Sequence, residues 1–259
     1  MELRTPGEID AMAEAGQVVA KVLAATRQAA VEQLDSGVTG KDLDAVAAQV
    51  LSDNGAESCY VGYHPAWAPS PYPAVLCVSV NDVVVHAIPD GTQLQPGDVV
   101  SVDFACSKDG WCADAALTFV LGPTPDPAVL KMIDTAERSL AAGIAEMRRG
   151  NQLGDVSHAI GETARADGYG LLADHGGHGI GREMHGSPFV ENEGRAHRGP
   201  KLKSGLVLCL EPMLQLGGRD DYRHTADGWG VATADGSVAC HVEHTVAITD
   251  DGPRVLTQL

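Results

Sequence analysis

The chain has 259 residues, 44% of them hydrophobic and 20% charged, enough to bury a core without disulfides or structural metal and too apolar for a disordered chain. Its 35 acidic residues against 18 basic ones leave a net charge of −17, which repels phosphate backbones and anionic lipid, so neither nucleic acid nor a membrane surface is an expected partner. No apolar run approaches the ~18 residues of a membrane span, and Met1 to Met12 carries Glu2, Glu8 and Asp10 where an export signal would be apolar.

In chain order, Thr5-Pro6-Gly7-Glu8 reads as a capping box with proline at the first helical position. Ile9, Met12, Val19 and Leu23 follow at helical spacing. Thr39-Gly40-Lys41-Asp42 opens a second helix, with Leu43, Val46, Val50 and Leu51 on one face. Strand-like sequence runs over Ala74–Val80 and Asp82–His86. A hairpin is expected from Val99–Cys106 and Trp111–Leu121, turning at Ser107–Gly110. The order then repeats. Asp126-Pro127 starts a helix bearing Val129, Leu130, Ile133, Leu140 and Ile144, which ends near Arg148-Arg149-Gly150. A shorter helix spans Asp155–Ala166, closed by Gly168, and strands return at Leu206–Leu210, Met213–Leu216 and Ala239–Thr249. Helices then strands, twice over, imply an α+β fold of two similar halves, read as a single domain over 1–259.

The loop Tyr60–Pro73 holds Tyr60, Tyr63, Trp67 and Tyr72 with four prolines. It reads either as a packed surface loop or as the wall of a substrate pocket. Cys59, Cys77, Cys106, Cys112, Cys209 and Cys240 form no Cys-x-x-Cys pair, and without an export signal they are expected as reduced thiols in a cytoplasmic protein.

Three places could carry chemistry. A loop centred between positions 108 and 109 would set Asp103 directly opposite Asp114 on one face of the hairpin. Two facing carboxylates need a proton, a cation or solvent between them. Gly176-Gly177-His178-Gly179-Ile180-Gly181, with His185 beyond it, combines tight turning and close approach with the commonest metal-binding side chain. Glu211 and Glu243 sit in apolar strand sequence, where a carboxylate must be paired, coordinated or turned outward. Two aspartates, one histidine and two glutamates suit divalent Mn, Fe, Co or Zn, and four carboxylates suit a pair of ions better than one.

Ser79-Val80-Asn81-Asp82-Val83-Val84-Val85-His86-Ala87-Ile88-Pro89 resembles the signature of type I methionine aminopeptidases. Asp103 with Asp114, His178-Gly179-Ile180-Gly181-Arg182-Glu183, Glu211-Pro212-Met213 and Glu243-His244-Thr245 follow in that family's order. The resemblance implies the pita-bread fold, two αβ halves around a dinuclear site. It implies Asp103, Asp114, His178, Glu211 and Glu243 as ligands of two divalent ions, with Asp114 and Glu243 bridging. Removal of the initiator methionine from nascent chains and peptides with a small second residue would follow, by a metal-activated hydroxide attacking the scissile carbonyl. Glu211 would shuttle the proton, His185 would stabilise the tetrahedral oxygen, and His86 would contact the scissile amide or the next residue. Cys59, Tyr63, Cys77, Met184 and Trp229 would surround the methionine side chain, and a monomer is expected. Ala115-Ala116 and Met184 depart from the hydroxyl residues and the aromatic that many relatives carry there, and the loop over 65–73 is richer in proline. A proline-directed aminopeptidase or a non-catalytic binding protein of the same fold are the competing expectations.

Overall fold

The computed structural model describes residues 2–123 and 126–259; positions 1, 124 and 125, part of the 1–259 expectation, lie outside the described residues. The first half runs α1 (Pro6–Glu32), α2 (Gly40–Asp53), β1 (Glu57–Ser58), β2 (Cys77–Val80), β3 (Val83–Val85), β4 (Val99–Lys108) and β5 (Trp111–Val120). The second begins with α3 (Pro127–Glu146), α4 (Leu153–Ala166), β6 (Gly170–Leu171), β7 (Gly176–Gly179), β8 (Gly186–Glu191) and β9 (Val207–Leu210). It ends with β10 (Met213–Gln215), β11 (Tyr222–His224), β12 (Val231–Thr233), β13 (Ala239–His241), β14 (Glu243–Thr249) and β15 (Gly252–Val255).

The helix starts follow the sequence signals. Thr5 and Glu8 exchange capping-box hydrogen bonds, as do Thr39 and Asp42, and Asp126 caps α3 with Pro127 behind it. Leu130 is the exception to the apolar face read for α3, since it is 46% exposed.

Nine strands form the central sheet, in the order β1-β4-β5-β14-β9-β7-β8, with β2 added on β4 and β15 on β14. Period-two alternation sorts its residues. Val100, Val102 and Phe104 of β4 and Ala113, Ala115 and Phe119 of β5 pack with Val19, Leu23 and Leu43 into one core. Leu208, Leu210, Val246 and Ile248 pack with Met132, Leu140 and Ile160 into a second. Each helix pair thus covers its own part of the same sheet face, and the opposite face is left for the site. Among the described residues no helix is long and apolar enough to cross a membrane.

The hairpin register differs from the expectation. Asp109 (φ 51°) and Gly110 (φ 74°) make a two-residue turn with both φ positive, and Lys108 pairs with Trp111. Asp103 therefore faces Ala116, and Asp114 faces Ala105. The two aspartates stay on one face but lie diagonally, two pairs apart, with Phe104 and Ala115 paired between them. The glycine cluster is also not a turn: Gly176–Gly179 is strand β7. A Cβ on Gly176, Gly177 or Gly179 would collide with the carbonyl oxygen of Val190, Cys209 or Ser187 respectively. The glycines let neighbouring backbones close on one another, and His178 is carried between them.

Candidate metal centre

Two adjacent rows across the central sheet bring the five expected ligands together. In the first row Ala116 of β5 pairs with Asp103 on one side and Glu243 on the other. Leu210 pairs with His244, which sets Glu211 beside Glu243. One step along, Asp114 exchanges backbone hydrogen bonds with the Thr245 hydroxyl at 3.0 and 2.8 Å. Thr245 pairs with Cys209, and Gly179 pairs with Leu208, which brings His178 alongside. Ligand atoms of Asp103, Asp114 and Glu243 lie within 4.8 Å of one another, and so do those of Asp114, His178 and His185. His178 Nε2 is 3.6 Å from Glu211 Oε1 and 4.0 Å from Asp114 Oδ2.

All five are buried, with direct electrostatic consequences. Burial pushes the Asp103 carboxyl up to about 6, against the pull of the Tyr60 hydroxyl. Burial, then the neighbouring aspartate charge, holds Asp114, Glu211 and Glu243 well above the carboxylate range. Burial drives His178 down to about 3, so its imidazole is neutral, the form that ligates metal. Tyr60 Oη donates to Asp103 Oδ1 at 2.5 Å and lies 3.2 Å from Asp114 Oδ1. Its own ionisation is suppressed by burial and by those two carboxylates. Glu243 Oε1 has no hydrogen-bond partner. Four crowded carboxylates, one orphaned oxygen and one neutral imidazole form a donor set that divalent cations fit and that protons alone serve poorly.

The rows floor a cavity of about 450 Å³. Tyr60, Tyr63, Trp67 and Tyr72 from the proline-rich loop all line it, so that loop is a pocket wall. Cys77, His86, Met184, His185 and Trp229 line it too. Trp229 stacks edge-on against Tyr72 and Trp67, with ring centroids 4.9 and 5.0 Å apart. Cys59 packs behind this apolar wall, its Sγ 3.8 Å from Cys112 Sγ. His185 Nδ1 lies 2.8 Å from Tyr63 Oη. His86 has φ +63°, an uncommon backbone state for a residue with a Cβ, of the kind stored at functional sites.

Sequence reasoning missed several participants. Tyr60 was read as a wall aromatic and also clamps the two aspartates. His175, Phe189 and Met213 complete the lining. His241, 2% exposed, lies with its Nε2 3.8 Å from both Glu211 Oε2 and Glu243 Oε2. Its place two residues before Glu243 in the expected strand over 239–249 was a usable signal, although that run breaks at Val242 into β13 and β14 of two different sheets.

A sheet backed by two helix pairs, with a carboxylate-rich floor and a buried neutral imidazole beneath an aromatic-walled pocket, is the arrangement of a metallohydrolase of the pita-bread fold. Residues 10–250 match the model of metallopeptidase family M24. The chain is 48% identical to methionine aminopeptidase 1 of Mycobacterium tuberculosis over 261 aligned residues, covering 98% of this chain and 94% of that protein. It superposes on the crystal structure of methionine aminopeptidase from Thermotoga maritima with a TM-score of 0.91, at 33% identity and with both chains fully covered. Prolidase from Pyrococcus furiosus shares the fold, with a TM-score of 0.75, but at 18% identity and over 65% of its own length. The chain belongs to metallopeptidase family M24, in its methionine aminopeptidase branch.

Proposed function

We propose that this protein removes N-terminal methionine from peptides and nascent chains, using two divalent ions held by Asp103, Asp114, His178, Glu211 and Glu243. The observation that carries the reading is the convergence of these five buried side chains on the floor of a cavity whose wall includes Cys77, Met184 and Trp229. Full-length similarity to methionine aminopeptidases supports it, whereas likeness to prolidase extends to the fold alone. The donor set admits Mn, Fe, Co or Zn. The net charge of −17 supports an enzyme that binds neither nucleic acid nor anionic membranes.

Bound divalent ions supply Lewis-acid polarisation of the scissile carbonyl and lower the pKa of water. The chain's own residues do the rest. Tyr60, Cys77, Met184 and Trp229 enclose the methionine side chain, with aromatic faces and soft sulfur suited to a thioether. The substrate's free amino end would be held at the cavity floor where the carboxylates hold the ions, which would restrict action to chain ends. Glu211, at the cavity floor, takes a proton from the attacking water and returns it to the leaving amine. Tyr63 keeps its proton, since burial raises its pKa. Its hydroxyl lies 2.8 Å from His185 Nδ1, and with His185 protonated on Nε2 the hydroxyl would donate to Nδ1 and Nε2–H would be free to hydrogen-bond the oxygen that gains charge. His86 stands at the cavity wall to meet the scissile amide or the residue after it.

The test is turnover and metal content together. Metal-loaded protein should cleave Met-Ala-Ser and leave an X-Pro peptide intact. Asp114→Asn should bind less metal by elemental analysis and lose turnover. Full loading and near-normal rate in Asp114→Asn would refute the ligand assignment.

A further inference from the structure

The imidazole of His241 is the buried group that the chemistry above leaves unused. The residue is 2% exposed, and neither ring nitrogen has a hydrogen-bond partner. A neutral imidazole carries one donor and one acceptor, and leaving such groups unpaired in a protein interior costs stability. Nε2 lies 3.8 Å from Glu211 Oε2 and 3.8 Å from Glu243 Oε2. That is beyond hydrogen-bond length, yet only about 1 Å more than a charge-assisted N–H···O⁻ contact needs.

The backbone holds the ring in place. Ser101 and Thr118 hydroxyls lie 2.7 Å apart. Thr118 Oγ1 donates to the His241 carbonyl at 2.7 Å and accepts from the His241 N–H at 3.0 Å. Since Thr118 has one hydroxyl proton, Ser101 must supply the proton of their shared bond. On its other edge His241 pairs with Met213, two residues beyond Glu211. The ring is thus fixed between the β4–β5 hairpin and the segments that carry both glutamates. Glu211 and Glu243 line the cavity, and His241 is not among its lining residues. It stands behind the carboxylates, outside the ligand set.

We infer that His241 is a positioning residue, whose Nε2–H orients the carboxylates of Glu211 and Glu243 toward the metal ions. This rests on the metal-site reading above. Donation to a carboxylate oxygen turned away from an ion fixes the rotamer and aims the other oxygen at the ion.

The experiment compares full-length His241→Phe, His241→Gln and His241→Ala with the wild type. Phenylalanine fills the space without a donor, and glutamine restores a donor in a smaller volume. Metal-stripped proteins are titrated calorimetrically with Co(II), and the visible Co(II) spectrum is recorded at saturation. We expect His241→Phe and His241→Ala to bind Co(II) about 10- to 100-fold more weakly, the usual cost of losing an outer partner of a metal ligand. Their Co(II) spectra should be altered, and His241→Gln should recover most of the affinity. Wild-type affinity and spectrum in His241→Phe would overturn the inference and make the ring a packing element. Equal loss in all three variants, glutamine included, would also overturn it. Failure of His241→Ala to fold leaves the phenylalanine and glutamine variants to decide. Failure of the wild type to bind Co(II) would instead overturn the metal-site reading itself.

Discussion

Asp103 and Glu243, 140 positions apart in sequence, stand in the same sheet row with Ala116 alone between them. The intervening side chain is a methyl group, so the two carboxylates share their space with nothing larger. Asp114 enters from the next row, within 4.8 Å of both. Such spacing would make the sheet itself the template for the proposed cations.

The first prediction concerns that methyl group. Ala116→Leu adds three carbons between two metal-site carboxylates on a rigid sheet. Cobalt uptake should drop sharply, measured by elemental analysis after dialysis, because overpacking shifts the carboxylates apart. Alanine to serine adds only a hydroxyl and should retain metal. Normal loading of Ala116→Leu would show that the row does not set the metal geometry.

The second prediction concerns His185. His185→Ala should keep its metal and lose about 10²- to 10³-fold in kcat, the usual cost of removing one donor to a developing oxyanion. Tyr63→Phe removes the 2.8 Å partner of Nδ1 and should show a smaller loss in the same parameter. Steady-state kinetics on Met-Ala-Ser check this. A rise in KM with unchanged kcat would mean that His185 binds substrate without stabilising the transition state.

pH provides the third. Asp103 is held up at about 6 by burial, and Asp114, Glu211 and Glu243 are raised further by burial and mutual repulsion. A carboxyl with a raised folded pKa contributes stability below its unfolded value of 3.8, and that contribution is lost as pH rises through about 6. Metal must displace these protons, so divalent affinity should weaken as pH falls from 8 to 6, and the metal-induced rise in Tm should grow with pH. His178, depressed to about 3 by burial, is already neutral across this range and contributes nothing to the slope. Thermal melts with and without Mn(II) at several pH values are the check; a pH-independent metal shift would contradict the raised carboxyl values.

Substrate preference gives the fourth. The pocket offers Tyr60, Cys77, Met184 and Trp229 to the first side chain, so Met-Ala-Ser should be the best substrate. Leu-Ala-Ser should be cleaved detectably, since apolar pockets separate near-isosteres by only ~1–3 kcal/mol. Met184→Phe exchanges a flexible wall for a rigid one and should widen that gap. Met-Lys-Ser should be poor, because His86 and His185 both stand at the cavity wall. Ratios of kcat/KM decide, and equal rates on Met-Ala-Ser and Met-Lys-Ser would contradict the crowding by the two histidines.

Local signals in the chain were sufficient for the helix starts at Thr5, Thr39 and Asp126, because a capping box or capping aspartate acts within four residues. Alternation was sufficient to put Asp103 and Asp114 on the face opposite Phe104, because strand periodicity survives a two-residue change in register sum. Which residue each aspartate faces was decided by the Asp109-Gly110 turn, whose two positive φ angles set the hairpin tighter than a loop over 107–110. The role of the glycines around His178 depends on how closely β8 and β9 approach β7, a distance between strands that no local pattern encodes. The five proposed ligands were legible as a motif series, whereas the shared row of Asp103, Ala116, Glu243 and Glu211 arises only when strands from both halves join one sheet. His241 shows the same division: its two-residue spacing from Glu243 stands in the sequence, but its equal approach to Glu211 and Glu243, made across the break between β13 and β14, is an arrangement that folding alone creates.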